Sequence, residues 1–305
     1  MNTTLLAAAA LAVHPLRALG IDPDAHPRRQ PHVSAASGLV CAHGRAYVVS
    51  DDEHHLAVFR DMDSPGTLHR ILAGDLPQAR QARKRLKADL EALCLWPARR
   101  ALVALGSGSR PNRDTGVVIG LRANGEPAQG VQRFDLKPLY EPLRELLGEI
   151  NIEGAMLTRD GFVLLNRGIT GRTESVAVRY RLGELQQVVD GRRHRVNPRA
   201  LRPYRLGSID GVELGFTDGC ALPGGGWVFC AAAEATDSSY ADGACRGSAV
   251  GVVDAWGDVV ALHRLASPLK VEGIAARQSE GAIDLCLVTD ADDPLLSSQL
   301  LRARL

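Results

Sequence analysis

The 305-residue chain is 45% hydrophobic and carries a formal net charge of +1, from 36 Lys and Arg against 35 Asp and Glu. A sizeable core can be buried, and no bulk charge draws the chain to nucleic acid or to a membrane surface. With only 4% aromatic residues and 31 glycines, the composition suits many short strands joined by tight turns and argues against a helical bundle.

In chain order, Met1 to Gly20 holds an apolar run from Leu5 to Val13. It lacks a basic leading segment and is too short to span a bilayer, so no secretory signal is expected and the cytoplasm is the expected location. A phrase then recurs five times. Ala36-Ser37-Gly38-Leu39 leads through a turn to Ala46–Asp52, and Asp89-Leu90-Glu91-Ala92 leads to Ala101–Gly106. Asn151-Ile152-Glu153-Gly154 leads to Phe162–Asn166, and Thr217-Asp218-Gly219-Cys220 leads to Trp227–Cys230. Val271-Glu272-Gly273-Ile274 leads to Ile283–Asp290. Each copy is an acidic or hydroxyl residue, a small residue, a strand, a turn and a second apolar strand. The copies lie about 50 to 65 residues apart, and four antiparallel strands with loops need roughly 40 to 50.

Third strands are expected near Leu56–Arg60, Gly116–Leu121, Ser175–Arg181, Gly247–Val253 and Gln299–Arg304. Fourth strands are expected near Leu68–Leu72, Gln132–Leu136, Leu201–Leu206 and Val259–Leu265. The fifth copy has no fourth strand after it, and Leu11–Leu19 is available to supply one and so remove an exposed edge. The fold expected is all-β: one domain over 1–305, a five-bladed β-propeller of four-stranded antiparallel blades, closed by an N-terminal strand. A helix is expected over Pro138–Glu149, where Leu139, Leu143, Leu146 and Leu147 recur at helical spacing. Arg80–Lys87 is strongly basic and reads as a short helix or a loop. None of the six cysteines forms a C-x-x-C pair. Free thiols are therefore expected, with a Cys220–Cys230 disulfide as the alternative.

In a propeller the first strand of each blade lines the axis, so equivalent positions form a ring. That ring is expected to be Ser37, Glu91, Glu153, Asp218 and Glu272. Four converging carboxylates demand protons, water or a cation. Hard oxygen donors without nitrogen or sulfur favour Ca2+ over zinc. The second strand returns to the same mouth and brings Asp51, Asp52, His54 and His55, then Arg110, Asn112 and Arg113, then Asn166, Arg167 and Arg172. Glu234, Asp237 and Asp242 follow, then Asp290, Asp292 and Asp293. Guanidinium forks over a cation make a seat for a small anionic substrate, and Gly106–Arg110 could add backbone amides.

The phrases Ser37-Gly38-Leu39 to Ser50-Asp51-Asp52, Lys87-Ala88-Asp89-Leu90-Glu91 and Val271-Glu272-Gly273-Ile274 resemble those of the calcium-activated nucleotidases, the soluble apyrases. The chain is also similar to bacterial esterase-like phytase propellers and to an uncharacterised bacterial propeller family. The resemblance spans about residues 30 to 305 and implies a central calcium held by serine and glutamate; Asp218 stands where the apyrase pattern has serine. It points to a calcium-dependent hydrolase of a phosphorylated small molecule. Asp51 or Asp52 would be the general base, with Arg110, Asn112, Arg113, Asn166, Arg167 and Arg172 around the substrate. A lactonase-like or esterase-like propeller, or a non-catalytic binding propeller with a structural calcium, is the alternative.

Overall fold

The computed structural model describes residues 9–159, 161–168, 174–235, 243–279 and 281–305. β1 (His14–Ala18) is followed by a first blade of β2 (Ala36–Ala42), β3 (Arg45–Ser50), β4 (His55–Phe59) and β5 (Thr67–Arg70). A short helix, α1 (Arg80–Leu86), leads into β6 (Leu90–Trp96), β7 (Ala101–Gly106), β8 (Thr115–Leu121) and β9 (Pro127–Asp135). After α2 (Lys137–Leu147) come β10 (Ile152–Thr158), β11 (Gly161–Asn166) and β12 (Ser175–Tyr180), and α3 (Leu182–Val189) intervenes before β13 (Ala200–Tyr204). The fourth blade adds a two-residue strand, β14 (Ser208–Ile209), to β15 (Val212–Ala221), β16 (Trp227–Ala235), β17 (Ala244–Val253) and β18 (Val259–Arg264). The last holds β19 (Val271–Ser279), β20 (Ala282–Thr289) and β21 (Gln299–Arg304).

Each blade is an antiparallel sheet with its strands in chain order, except the last, whose order is β1-β21-β20-β19. β1 pairs antiparallel with β21, His14 opposite Arg302 and Ala18 opposite Gln299. The outer edge of the fifth blade is thus covered by the other end of the chain, and the ring is shut. Just beyond β1, Leu19 is fully buried and its amide donates to the Ser298 carbonyl at 2.9 Å.

Second strands are mostly apolar because both of their faces are largely covered. All six residues of β7 and of β11 are buried. Outer strands keep one face wet, and most of β9 is exposed. Five apolar clusters fill the five seams between neighbouring blades. The seam between the second and third blades is the largest of them, because α2 and α3 add Leu139, Tyr140, Leu143, Leu185, Val188 and Val189 to it. α1 settles the basic stretch as a helix, with Arg83 buried. Among the described residues all six cysteines are free: Cys220 pairs across the ladder with Val228, and Cys230 with Asp218. Among the described residues no helix is long and apolar enough to cross a membrane.

Candidate axial metal centre

The first strand of every blade carries a β-bulge at the same place. A bulge leaves one residue out of the ladder and re-aims its side chain. The residue left out is Ser37 in β2, Glu91 in β6, Glu153 in β10, Thr217 in β15 and Glu272 in β19. The residue after it is small in four blades, because the inner strands nearly touch. A Cβ on Gly38 would lie 2.7 Å from the Leu93 nitrogen, and one on Gly273 would lie 2.8 Å from the Ser37 carbonyl oxygen.

The fourth blade therefore departs from the expected ring by one residue: Thr217, not Asp218, stands at the bulge. Thr217 Oγ1 donates to the Val271 carbonyl at 2.8 Å. Asp218 is fully buried and turned onto backbone, where Oδ1 accepts from the Gly219 amide at 2.7 Å and Oδ2 from the Ile274 amide at 3.0 Å. It ties the fourth blade to the fifth and is not among the cavity-lining residues. Burial outweighs those amides and pushes its carboxyl well above the ordinary range.

Ser37, Glu91, Glu153 and Glu272 line one cavity of about 130 Å3 at the mouth of the axis. Of the residues expected around that mouth, Asp51, Asp52, Arg113, Arg167, Glu234, Asp290, Asp292 and Asp293 line it. Others lie elsewhere. Arg110 is exposed and outside the lining, while Asn112 donates to the Lys87 carbonyl at 3.0 Å. Asn166 Oδ1 accepts from the Asn151 amide at 2.8 Å, so it shapes the turn beside Glu153. His54 and His55 do not reach the cavity; His55 Nδ1 lies 3.8 Å from Glu53. Arg172, Asp237 and Asp242 lie outside the described residues. The Gly106–Arg110 loop spends amides on itself, with Gly108 donating to the Arg113 carbonyl at 3.3 Å and Ser109 to Ser107 Oγ at 3.3 Å.

Three residues gain importance from the structure: Lys87, Asp89 and Lys270. The oxygens of Asp51, Asp89 and Glu91 lie within 4.8 Å of one another, a spacing that suits a shared cation. The Lys87 ammonium bridges Asp51 and Asp89, 2.8 Å from the latter. Lys270 lies 3.1 Å from Glu272 and 3.0 Å from Asp292, and Arg167 lies 2.8 Å from Glu234 and 3.6 Å from Glu153. The signal in the sequence was their nearness to the ring: Lys87 and Asp89 stand just before Glu91, and Lys270 just before Glu272. Local geometry and not strand alternation brings them in, for Asp89 has a φ of 56° and Glu91 and Glu272 sit at bulges.

Burial sets the charges. It lifts Glu91 well above the ordinary carboxylate range, with Asp89 and Glu153 adding to the effect. It brings Glu153 up to about 8 against the pull of Arg167, and Asp51 up to about 6 against Lys87. Glu272 is raised by burial too, with Lys270 opposing. Lys87 is buried as well, yet Asp51, Asp89 and Glu91 outweigh that cost and hold its ammonium charged. Two buried carboxylate oxygens, Asp51 Oδ1 and Glu272 Oε2, have no hydrogen-bond partner. A buried acceptor without a donor costs about 1–3 kcal/mol. An all-oxygen donor set with two such orphans fits a hard divalent cation.

A search of curated proteins returned no match. Among solved structures, the chain is similar to a calcium-binding protein, regucalcin, from Agrobacterium tumefaciens str. C58, with TM-score 0.44, 10% identity and 97% of each chain covered. It is similar to a gluconolactonase from Xanthomonas campestris, with TM-score 0.45, 12% identity, 97% of this chain and 98% of that one. A luciferin-regenerating enzyme gives TM-score 0.46 at 7% identity, over 95% of this chain and 94% of that one. One family model covers the ring, the mouth and β2 to β21, matching residues 32–305, and the chain belongs to that family, described as "Family of unknown function (DUF6929)".

Proposed function

We propose that the chain is a calcium-dependent hydrolase of a small lactone or ester. The observation that carries this reading is the convergence of Asp51, Asp89 and Glu91 oxygens within 4.8 Å, next to buried, unpartnered oxygens on Asp51 and Glu272. Asp51, Asp89 and Glu91 would hold the cation. Calcium suits them because it tolerates irregular shells of carboxylate oxygens, whereas magnesium demands a tighter octahedron. When bound, the cation would polarise a substrate carbonyl as a Lewis acid.

The chain's own groups supply the proton transfers. Lys270 holds Glu272 Oε1 at 3.1 Å and leaves Oε2 without a partner. That oxygen takes a proton from water as the water oxygen bonds to the carbonyl carbon. Glu153, brought up to about 8, carries a proton at neutral pH and gives it to the leaving alkoxide as the C–O bond breaks. Asp52 is bound to Arg83 at 3.1 Å and lies 3.6 Å from Arg28, which argues for a framing role.

Hydrolysis of a phosphorylated small molecule, the nucleotidase-like reading, has one observation in its favour: Arg80, Arg83, Lys84 and Lys87 rim one side of the cavity. The pairing of the arginines favours the lactone or ester. Among the described residues ten acidic side chains and seven cations line the cavity, and burial raises several of the acids. Arg83, Arg113 and Arg167 are engaged with Asp52, Asp89 and the Glu153–Glu234 pair. A phosphoryl dianion would have to outbid those carboxylates, while a neutral lactone need not.

The test is a panel of lactones, aryl esters, phosphomonoesters and nucleotides, assayed with calcium and with chelator. Calcium-dependent lactone or ester turnover is expected, lowered about 100-fold or more in Glu272→Gln. Faster turnover of phosphoesters would overturn this reading in favour of the phosphohydrolase.

A further inference from the structure

The seam between the first and last blades carries a second reactive feature, apart from the acidic cavity. An antiparallel bridge between Ala35 and Asp290 sets the start of β2 against the end of β20. From there β2 runs on to Cys41 and β20 runs back to Cys286; Cys41 shares a strand face with Leu39, which packs in one cluster with Cys286, and the two thiols are neighbours across the seam. Cys41 lies four residues past Ser37, so it is about 13 Å down the strand from the ring, and neither cysteine lines the cavity. Cys41 is exposed and Cys286 half-buried, packed on the Leu39, Val48 and Ala275 cluster of the same seam. Both are free in this structure.

We propose that Cys41 and Cys286 form a redox-responsive thiol pair, which a peroxide joins into a disulfide that staples the first blade to the last. The neighbouring Cys41 thiol lowers the Cys286 thiol to about 7, so a large share is thiolate at neutral pH. The Cys286 sulfur attacks one peroxide oxygen, the O–O bond breaks, and one water leaves with the thiol's proton, giving a sulfenic acid. The Cys41 sulfur then attacks the Cys286 sulfur, and its proton leaves with the hydroxyl as a second water. Two thiols are oxidised, one peroxide is reduced, and the exposed position of Cys41 gives the oxidant access. The bond would close a loop spanning most of the chain, across the seam that β1 otherwise holds.

The experiment titrates the full chain with hydrogen peroxide, blocks the remaining thiols and maps the products by peptide mass spectrometry. A single Cys41–Cys286 disulfide is expected, with two of the six thiols lost and Tm raised by roughly 5 °C. Dithiothreitol should reverse both. Cys41→Ser and Cys286→Ser should each abolish the cross-link and the Tm rise while melting normally when reduced. A disulfide at another pair, sulfinic acid on Cys286 with Cys41 untouched, or a cross-link without a change in Tm would overturn the proposal. Cation binding does not enter these readouts.

Discussion

Thr217 and Asp218 are neighbours on β15 with unlike surroundings, and the bulge decides which leaves the ladder. Thr217 is turned out of the ladder with its hydroxyl on the Val271 carbonyl. Asp218 stays in the ladder, where the strands are closest, and accepts from two amides. Asp218→Ala would leave the Gly219 and Ile274 amides without an acceptor, at a cost of about 2–4 kcal/mol. Urea unfolding should show that loss, and the response to calcium should be unchanged; a weakened calcium response would return Asp218 to the metal centre. Lys87 makes the opposite case. Its ammonium occupies the space between Asp51 and Asp89 that a cation would use. Lys87→Met should lower stability without calcium, because it leaves buried carboxylates unpaired, and should tighten calcium binding by removing a competitor. Calorimetric titration checks this, and weaker binding in the variant would contradict it.

At the scale of elements, what was legible followed periodicity and what was not lacked it. The closing strand was readable because the fifth copy lacked a fourth strand and Leu11–Leu19 was available, and the helix α2 and the third strands because Leu139, Val117 and their neighbours repeat at the spacing of a buried face. The bulge was not readable, because one extra residue leaves the local alternation of Phe216, Thr217 and Asp218 ambiguous; only the pairing with β16 resolves it. The start of β9 was missed because its middle is exposed and has no apolar face. The mouth residues Arg110 and Asn112 follow β7 in sequence, but the short 3-10 turn at Pro111–Arg113 carries only Arg113 into the lining. Two predictions belong here. Leu19→Ala, just past β1, should cost about 2–4 kcal/mol, and removing residues 1–19 should lower Tm further; an unchanged melt would mean that β1 does not hold the ring. Tyr140 and Tyr180 bind the helical layer to the blades, their hydroxyls donating to the Gly106 and Leu139 carbonyls at 2.8 and 3.3 Å. Burial raises both phenols, Tyr140 well above its ordinary value. Their neutral forms therefore favour the fold fully below pH of about 10, and that stability is lost as pH rises beyond it, at about 1.4 kcal/mol per pH unit for each phenol. Tyr140→Phe should flatten the loss measured by urea unfolding between pH 9 and 11, and an unchanged slope would contradict this.

At the scale of the molecule, five seams and one closing strand hold five bulges around an axis, so the ring oxygens are fixed by the whole circuit and not by any one blade. This is why burial raises Glu91, Glu153 and Glu272 together: folding brings carboxylates into a site that a cation would stabilise. Calcium that binds only the folded state must raise its stability, by about 2.7 kcal/mol at 100 times the dissociation constant. The most direct measurement is the melting temperature with calcium, with magnesium and with chelator, for wild type, Glu91→Gln and Asp51→Asn. The account predicts a rise with calcium, a smaller one with magnesium, a fall with chelator, and a weakened response in both variants. A wild-type melt indifferent to calcium and chelator, with no calcium found by metal analysis, would contradict it.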